Sequence, residues 1–556
     1  MKIKLNRLTV AIGAILIGIS VISISPYFFN NYIFSQDDLL FHRTRLESYY
    51  QAVKHWDFFP RIFPAMGLNF GYGADLFYPS ILLFPFALFR LLGLAFVPAY
   101  FMYQFVISLT TAATSFYFMD SISHSKKSAL LFSSFYTLST YRLIDQSVRA
   151  ALGETLAFAF LPLVALGAYS IFYSDKPRWK LLAVGMSFLI ACHLITAFYT
   201  FIFLIIFILL NWKKCSQIQM KSILSAGLLS VGLSAWFLFP YLEQTHHLTF
   251  NFNKTILWAT GLNFGLGDLF VNSLTNLSAP FANLKPNLGV FLLIVVIVAG
   301  LNYPKLTTKN KQLTLATLFT VLLSTNIFPW AIFKESILAT IQFPWRLLLF
   351  ASFFASLLAV NLIKQFNWLS SRNTLLFIAL CSFLAISFNV NNLMQSQAQN
   401  YSTITNENFT DFYESEIGHG KEYLVKDTDF KTYFANPGLI INGVPYADSS
   451  KQTINTYHYS QYTLRTNGVQ EVQLPKFYYK GYQVTDNQKV IENYNKNGLV
   501  TVKLDSGVHT LVISYKKTLI QKISTAFSLL VVGVLILVSL PPVKKKFETN
   551  KPLKAK

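Results

Sequence analysis

The chain has 556 residues, 53% of them hydrophobic and only 13% charged, with a formal net charge of +21. Soluble domains carry about 25% charged residues, so the composition argues against a soluble fold. The charge does not point to nucleic acid either, because Lys and Arg gather in short loops between apolar runs. These are Lys2, Lys4 and Arg7; Lys126 and Lys127; Lys176, Arg178 and Lys180; Lys213, Lys214 and Lys221; Lys305, Lys309 and Lys311; and the tail 544–556. That distribution is the positive-inside signature of cytoplasmic loops, and the tail can also meet anionic lipid.

In chain order, a basic start leads into an apolar run from Leu8 to Pro26, read as an uncleaved first helix. Loop 27–78 follows on the outer side. Within it Leu46, Tyr49, Tyr50, Val53 and Trp56 recur at helical spacing. They predict an amphipathic helix on the outer surface, ended by Pro60. The stretch 79–95, with Pro85 and Arg90, is read as dipping into the membrane and returning. Two full spans in 79–118 remain the alternative. A short helix near 128–140 and a span at 155–173 leave Tyr141–Glu154 outside. Stretch 181–212 has basic flanks and is too long for one span of about 20 residues. It divides into two short helices with an outward turn near His193. Spans near 222–240, 287–302, 313–333, 345–363 and 375–391 follow.

These elements predict a polytopic α-helical membrane protein with about 12–13 transmembrane helices and both termini cytoplasmic. The transmembrane domain covers 1–391. An extracytoplasmic β-sandwich covers 392–517, the last span 518–541, and a basic cytoplasmic tail 542–556. In the β-rich part, Val500–Leu504 and His509–Tyr515 alternate with period two around Asp505-Ser-Gly507, a hairpin signal. Val472–Tyr478 and Tyr482–Val490 supply further strands. The three cysteines, Cys192, Cys215 and Cys381, lie outside this part, so no disulfide framework is implied. Metal-ligand spacings of the C-x-x-C kind are absent.

Three clusters carry candidate chemistry. In Gln36-Asp-Asp-Leu-Leu-Phe-His-Arg-Thr-Arg45, helical geometry would place Asp38, His42 and Arg45 on one face, with Asp37 about 100° away. The bland alternative is a helix start with Asp near its positive end. In Tyr141–Glu154, each charge would cost about 2.5–3.5 kcal/mol if buried alone in the membrane. Arg149 and Glu154 therefore pair, face a cavity or stay at the interface, and Arg142 belongs to the same segment. In Gln342-Phe-Pro-Trp-Arg346, Arg346 begins a helix near the outer leaflet. There it either snorkels to headgroups or binds a phosphate bidentately.

Asp38-x-x-Phe-His42-x-x-Arg45, Phe59-Pro-Arg61, Gly71-Tyr-Gly73 and Phe77-Tyr-Pro79 resemble the opening loop of bacterial YfhO-like membrane proteins. Some relatives are called 6-pyruvoyl-tetrahydropterin-synthase-related; no pterin chemistry follows. Tyr141-Arg142, Arg149-Ala150, Gly153-Glu154, Gln342–Arg346 and Leu474–Tyr482 resemble further blocks. Such proteins are similar to GT-C glycosyltransferases. The resemblance implies sugar transfer from a polyprenyl-phosphate donor to a cell-surface glycan, such as teichoic acid, at the outer face of a bacterial plasma membrane. It implies catalysis by Asp38 or Asp37, support from His42, Arg45, Arg149 and Glu154, and carrier-phosphate binding by Arg346 and Arg142. A divalent metal is compatible with that chemistry and is not demanded by the sequence. Tyr78-Pro79-Ser80 departs from the Tyr-Pro-Pro of relatives, so no phosphate contact is assigned there. The alternative is a non-catalytic scaffold or transport partner on the same fold. An outward cavity joining Asp38 to Arg346 favours the enzyme; a plugged site favours the scaffold.

Overall fold

The computed structural model describes residues 7–539, apart from 29, 36, 255–263, 281–283, 334, 337, 339–340, 412–413, 419, 427 and 447–451. The basic tail 542–556 lies outside the described residues. Among the described residues, six helices are long and apolar enough to cross a membrane, and five shorter helices are also apolar.

Helix α1 (Arg7–Ser23) enters a loop that carries α2 (Leu39–Lys54) and α3 (Ala74–Phe77). The amphipathic segment does form a helix, but not one lying on an open surface. Leu46 and Tyr49 are fully buried, as are His42, Arg43 and Arg45. The C-terminal region covers this helix: Arg43 meets Glu416 at 2.9 Å, both inaccessible. Trp56 lies past the helix end, at φ 61°, and is exposed.

Helix α4 (Phe84–Leu91) has eight residues, about 12 Å at 1.5 Å per residue, far short of a bilayer core of about 30 Å. Phe84 at its start lies near Phe58 of loop 27–78. At its end Arg90 pairs with Glu47 of α2 at 3.3 Å. Both ends thus contact loop 27–78. Helices α5 (Phe96–Ser123), α6 (Lys126–Thr137), α7 (Thr140–Ser147) and α8 (Leu152–Tyr173) follow. Pro162 of α8 has no N–H, which frees the carbonyl of Phe158. Tyr136 Oη donates to that carbonyl at 3.1 Å, as membrane burial requires.

The stretch after α8 divides into α9 (Trp179–Cys192) and α10 (Leu194–Leu210), broken at His193. The end of α10 returns to the end of α8, where Tyr173 Oη donates to Asn211 at 2.6 Å. The pair is therefore a hairpin with its apex at His193. Gly167 and Gly185 let α8 and α9 approach closely, since a Cβ on Gly167 would stand 2.4 Å from the Leu182 nitrogen. Next come α11 (Gln217–His247), α12 (Leu266–Thr275), α13 (Val290–Leu301), α14 (Thr308–Leu323), α15 (Leu348–Gln365) and α16 (Ser371–Ala398). Hydroxyl side chains of Ser125, Ser216, Thr307 and Ser370 cap α6, α11, α14 and α16. These caps satisfy orphan N–H groups at the starts of those helices.

Strand β1 (Ile33–Phe34), just before Asp37, pairs antiparallel with β2 (Thr403–Ile404), just after α16. A short helix α17 (Phe430–Ala435) precedes two five-stranded sheets. Their strands are β3 (Ile440–Ile441), β4 (Val444–Pro445), β5 (Gln452–Asn455), β6 (Ser460–Thr466), β7 (Gln470–Phe477), β8 (Tyr482–Asp486), β9 (Lys489–Ile491), β10 (Tyr494–Lys496), β11 (Leu499–Leu504) and β12 (Gly507–Tyr515). One sheet has the order β10-β11-β7-β3-β4 and the other β5-β6-β12-β8-β9. Val472, Leu474, Val500 and Val502 of the first pack against Tyr462, Leu464, Val484, Leu511 and Ile513 of the second. The result is a sandwich.

The hairpin expected at 500–515 is not formed. β11 pairs with β7 and β10, whereas β12 pairs with β6 and β8. Both strands alternate, but their turn crosses between sheets so that the two apolar faces meet across the core. Local hairpins form elsewhere, among them β8–β9, where Asn487 and Gln488 both have positive φ (45° and 71°), the pattern of a type I′ turn. The chain ends its described part in α18 (Leu519–Ser539), which leaves most of its apolar side chains exposed. It packs on α11 through Ser528, whose hydroxyl donates to Gly232 O at 2.8 Å.

Segment Leu474–Tyr482 docks on Gly67–Gly73. Phe477 N donates to Phe70 O at 3.0 Å. Gly71 (φ +78°) has no room for a Cβ, which would stand 2.9 Å from Tyr482 Oη. Gln244 clamps the backbone of Lys480 from the end of α11, at 2.8 and 3.1 Å.

Candidate active site

Asp38 stands at the N-terminal end of α2, and its side chain makes no capping hydrogen bond. Its backbone N donates to Arg149 O at 2.9 Å, and its carboxylate lies 3.6 Å from the Arg149 guanidinium. The carboxylate is 43% exposed, while Arg149 is 4% exposed. Asp38 does stand at the positive end of a helix, as the bland reading has it, but its carboxylate is spent on no cap hydrogen bond and faces Arg149 instead.

Arg149 is the hub. It meets Asp145 at 2.5 Å and Glu154 at 2.9 Å, both buried, and lies over the Trp345 ring at 4.5 Å. Tyr141 Oη donates to the other oxygen of Glu154 at 2.7 Å. Arg346 approaches Glu154 at 3.6 Å and donates to Gln342 at 2.6 Å. The connection to α15 is built by Pro344, which starts a 3-10 turn at 344–347. Ala150 and Gln342 both adopt left-handed φ (52° and 57°), uncommon for residues with a side chain. Such local strain gathers at functional sites.

Tyr78 closes the other wall. Arg45 lies over its ring at 3.9 Å, His42 meets it edge-on at 5.7 Å, and His193 faces it at 6.3 Å. Its hydroxyl presses on Gly153, where a Cβ would stand 1.8 Å away. Arg45 also donates to Ser80 Oγ at 3.1 Å and to the carbonyls of Tyr78 and Pro79. The Tyr-Pro-Ser departure thus supplies a hydroxyl partner for Arg45. Burial and the Arg45 charge push His42 well below the ordinary imidazole range, so it is neutral.

The structure brings Asp38, His42, Arg45, Arg149, Glu154 and Arg346 to one place. It does not bring Arg142 there. That guanidinium is fully buried and donates to Ser23, Ser108, Thr137 O and Gln146, at 2.9–3.1 Å. Ser23, Ser108 and Gln146 belong to α1, α5 and α7, so Arg142 ties those helices together and is not placed to reach a carrier phosphate. Asp37 lies one residue before Asp38, within electrostatic range of Tyr401. The reading from sequence missed Asp145, Tyr78, Trp345 and His193 as members of the cluster. All but His193 stand inside the quoted motifs, which was the signal available. The acidic groups are gathered around a guanidinium rather than around open space, and among the described residues no group of three His, Cys, Asp or Glu side chains is placed to hold a metal ion. The donor set does not fit a metal.

Residues 67–412 match a family described as "Bacterial membrane protein YfhO". That region holds Tyr78, Asp145, Arg149, Glu154, His193 and Arg346, whereas Asp38, His42, Arg45 and the sandwich lie outside it. The chain is also similar to an uncharacterized protein of Lactococcus lactis subsp. cremoris (strain MG1363), 24% identical over 333 residues. The alignment covers 57% of this chain and 54% of that relative, so the chain spans about half the relative's length. The extent of the family match, well over half the chain, carries the assignment: this chain belongs to the YfhO family of bacterial membrane proteins.

Proposed function

We propose that the protein is a GT-C-type glycosyltransferase of the bacterial plasma membrane. It takes a sugar from a polyprenyl-phosphate donor and transfers it to a cell-surface polymer, such as teichoic acid or a wall glycan, at the outer face. Loop 27–78 and the sandwich then lie outside and the Lys-rich loops inside. The observation that carries this reading is the partly exposed, uncapped Asp38 carboxylate beside Arg149, with Arg346 on the far side of the same buried cluster.

In the reaction Asp38 takes the proton of an acceptor hydroxyl. The hydroxyl oxygen bonds to the anomeric carbon of the donor sugar, and the bond from that carbon to the carrier phosphate breaks. The phosphate leaves with the electron pair and the proton remains on Asp38. Arg346 stabilises the charge developing on the phosphate. Arg149 holds the Asp38 carboxylate in place, and Tyr78 with Arg45 walls the site from the dip-and-return segment.

A scaffold or transport partner is the second reading. It draws on the mutual pairing of Arg149, Asp145 and Glu154, which puts ion pairs between Asp38 and Arg346, the arrangement expected of a plugged site. Surface-glycan analysis separates the two. Cells carrying Asp38→Asn in place of the wild-type protein should lose the same sugar decoration as cells lacking the protein. Normal decoration in the Asp37→Asn/Asp38→Asn double variant would favour the scaffold.

A further inference from the structure

Away from the carboxylate cluster, a half-open cavity of about 100 Å³ lies between loop 27–78 and the sandwich. Three cations from three separate segments line it: Arg61, Lys476 and Lys517. Tyr457, Tyr482 and Tyr515 contribute aromatic walls. Arg61 is fully buried. One of its nitrogens satisfies the Trp236 carbonyl at 2.9 Å, which Pro240 leaves free in α11. Its Nε and Nη1 have no hydrogen-bond partner in the protein, and Asp75 stands 3.8 Å from Nη1. Lys476 is also buried and donates to Asn69 O at 2.5 Å. Lys517 pairs with Asp57 at 2.6 Å at the cavity edge, with 36% of its side chain exposed.

We propose that this cavity is a second ligand site, which binds the phosphate of a phosphate-bearing sugar or polyol. Arg61 and Lys476 hold the anion, Lys517 exchanges Asp57 for it, and the tyrosine rings face the hydroxyl-bearing carbons. A buried guanidinium with unspent donors is a costly arrangement unless an anion or water uses them. A chain of contacts joins the cavity to the carboxylate cluster. It runs from Arg61 to Asp75 and from Asp75 to Ser80 N (2.7 Å), then from Ser80 Oγ to Arg45 (3.1 Å) over Tyr78. Under the transferase reading, on which only this last identification rests, the occupant from solution is an anionic unit of the acceptor. A phospholipid headgroup offers the same phosphate chemistry.

Calorimetric titration of the full-length protein, in phospholipid-free micelles, tests the site with inorganic phosphate and glycerol 1-phosphate. Lys476→Gln/Lys517→Gln should weaken binding of both at least tenfold. Asp38→Asn should bind as the wild type does, so a failed transferase reading leaves this result standing. Burial pushes the Lys476 amine down to about 8, so binding should fade as pH rises through that value. In nanodiscs, suppression of glycerol 1-phosphate binding by anionic lipid identifies a headgroup as the occupant; unchanged binding identifies a soluble ligand. The proposal is overturned if neither probe binds the wild type in micelles, or if the double variant binds equally well.

Discussion

Asp38→Asn keeps the size of the side chain and removes its charge, and the structure separates what that does to stability from what it does to chemistry. The Asp38–Arg149 pair is 3.6 Å apart with the carboxylate 43% exposed. Asp38 is the solvated partner and Arg149 keeps Asp145 and Glu154, so losing this charge should cost no more than an exposed pair does, about 0–1 kcal/mol. Thermal unfolding of the purified protein should therefore hardly move. Loss of a general base costs about 10²–10⁴-fold in rate, which is about 2.7–5.4 kcal/mol at 1.36 kcal/mol per tenfold. Asp145→Asn makes the control. Asp145 is inaccessible and 2.5 Å from the same guanidinium, and breaking a buried pair costs about 3–5 kcal/mol. That variant should unfold at clearly lower temperature. The assay follows transfer of sugar from a polyprenyl-phosphate donor to acceptor polymer, with unfolding measured on the same preparations. Asp38→Asn retaining more than a tenth of wild-type transfer would refute the base assignment. Equal destabilisation by the two variants would refute the structural argument behind it.

Arg346→Lys keeps the charge but loses the planar fork, and hydrogen bonds to charged groups contribute about 1.5–3 kcal/mol. The KM for donor should rise about 10- to 100-fold, and an unchanged KM in Arg346→Ala would leave Arg346 a headgroup anchor. Gly153→Ala would place a Cβ 1.8 Å from Tyr78 Oη and 2.6 Å from Cys192 O. It should destabilise by about 1–3 kcal/mol in thermal unfolding, and wild-type stability would show that this contact yields easily. For topology, a membrane-impermeant thiol reagent applied to intact cells should label Gln488→Cys and not Ser216→Cys, both in a Cys215→Ser background. The reverse pattern would invert the orientation.

The helical plan was legible because lipid burial leaves charges nowhere to go but loops, so the basic clusters and apolar runs punctuate one another. The break at His193 could be read from basic residues on both flanks of a run too long for one span. Parity alone carried the reading of 79–95 as a dip, and the structure gives that stretch a short apolar helical segment, Ile81–Leu91. Pairing among Arg149, Asp145 and Glu154 was partly visible, since these residues are close in sequence. What stayed hidden depends on distant contacts. Nothing local says that Tyr78 will press on Gly153, or that Arg61 will answer a carbonyl freed by Pro240. The false hairpin at 500–515 has the same origin: period two reports a half-buried strand but not which sheet it joins. Likewise helical spacing in α2 reported an apolar face, while its polar face is also covered by residues nearly 400 positions later.

Their surroundings divide the two arginines of the cluster by role. The carboxyl groups of Asp38, Asp145 and Glu154 surround Arg149, whereas Arg346 stands beside Glu154. An incoming phosphate cannot settle beside Arg149 without meeting three carboxylates in a poorly solvated place, where like charges repel strongly. Among the described residues Arg346 has its close carboxylate contact with Glu154, at 3.6 Å, and its Nε has no hydrogen-bond partner. Under the proposed reaction this assigns the carrier phosphate to Arg346 and makes Arg149 a positioning residue that acts through Asp38. Arg149→Lys tests this. A lysine cannot reach Asp38, Asp145 and Glu154 together, so Asp38 should lose its fixed place. Transfer should fall about 10- to 100-fold in kcat, as misplacement of a reacting group does, with the KM for donor little changed. Arg346→Lys should show the opposite split. If Arg149→Lys instead raises the donor KM and spares kcat, the phosphate sits at Arg149 and the roles assigned here are exchanged.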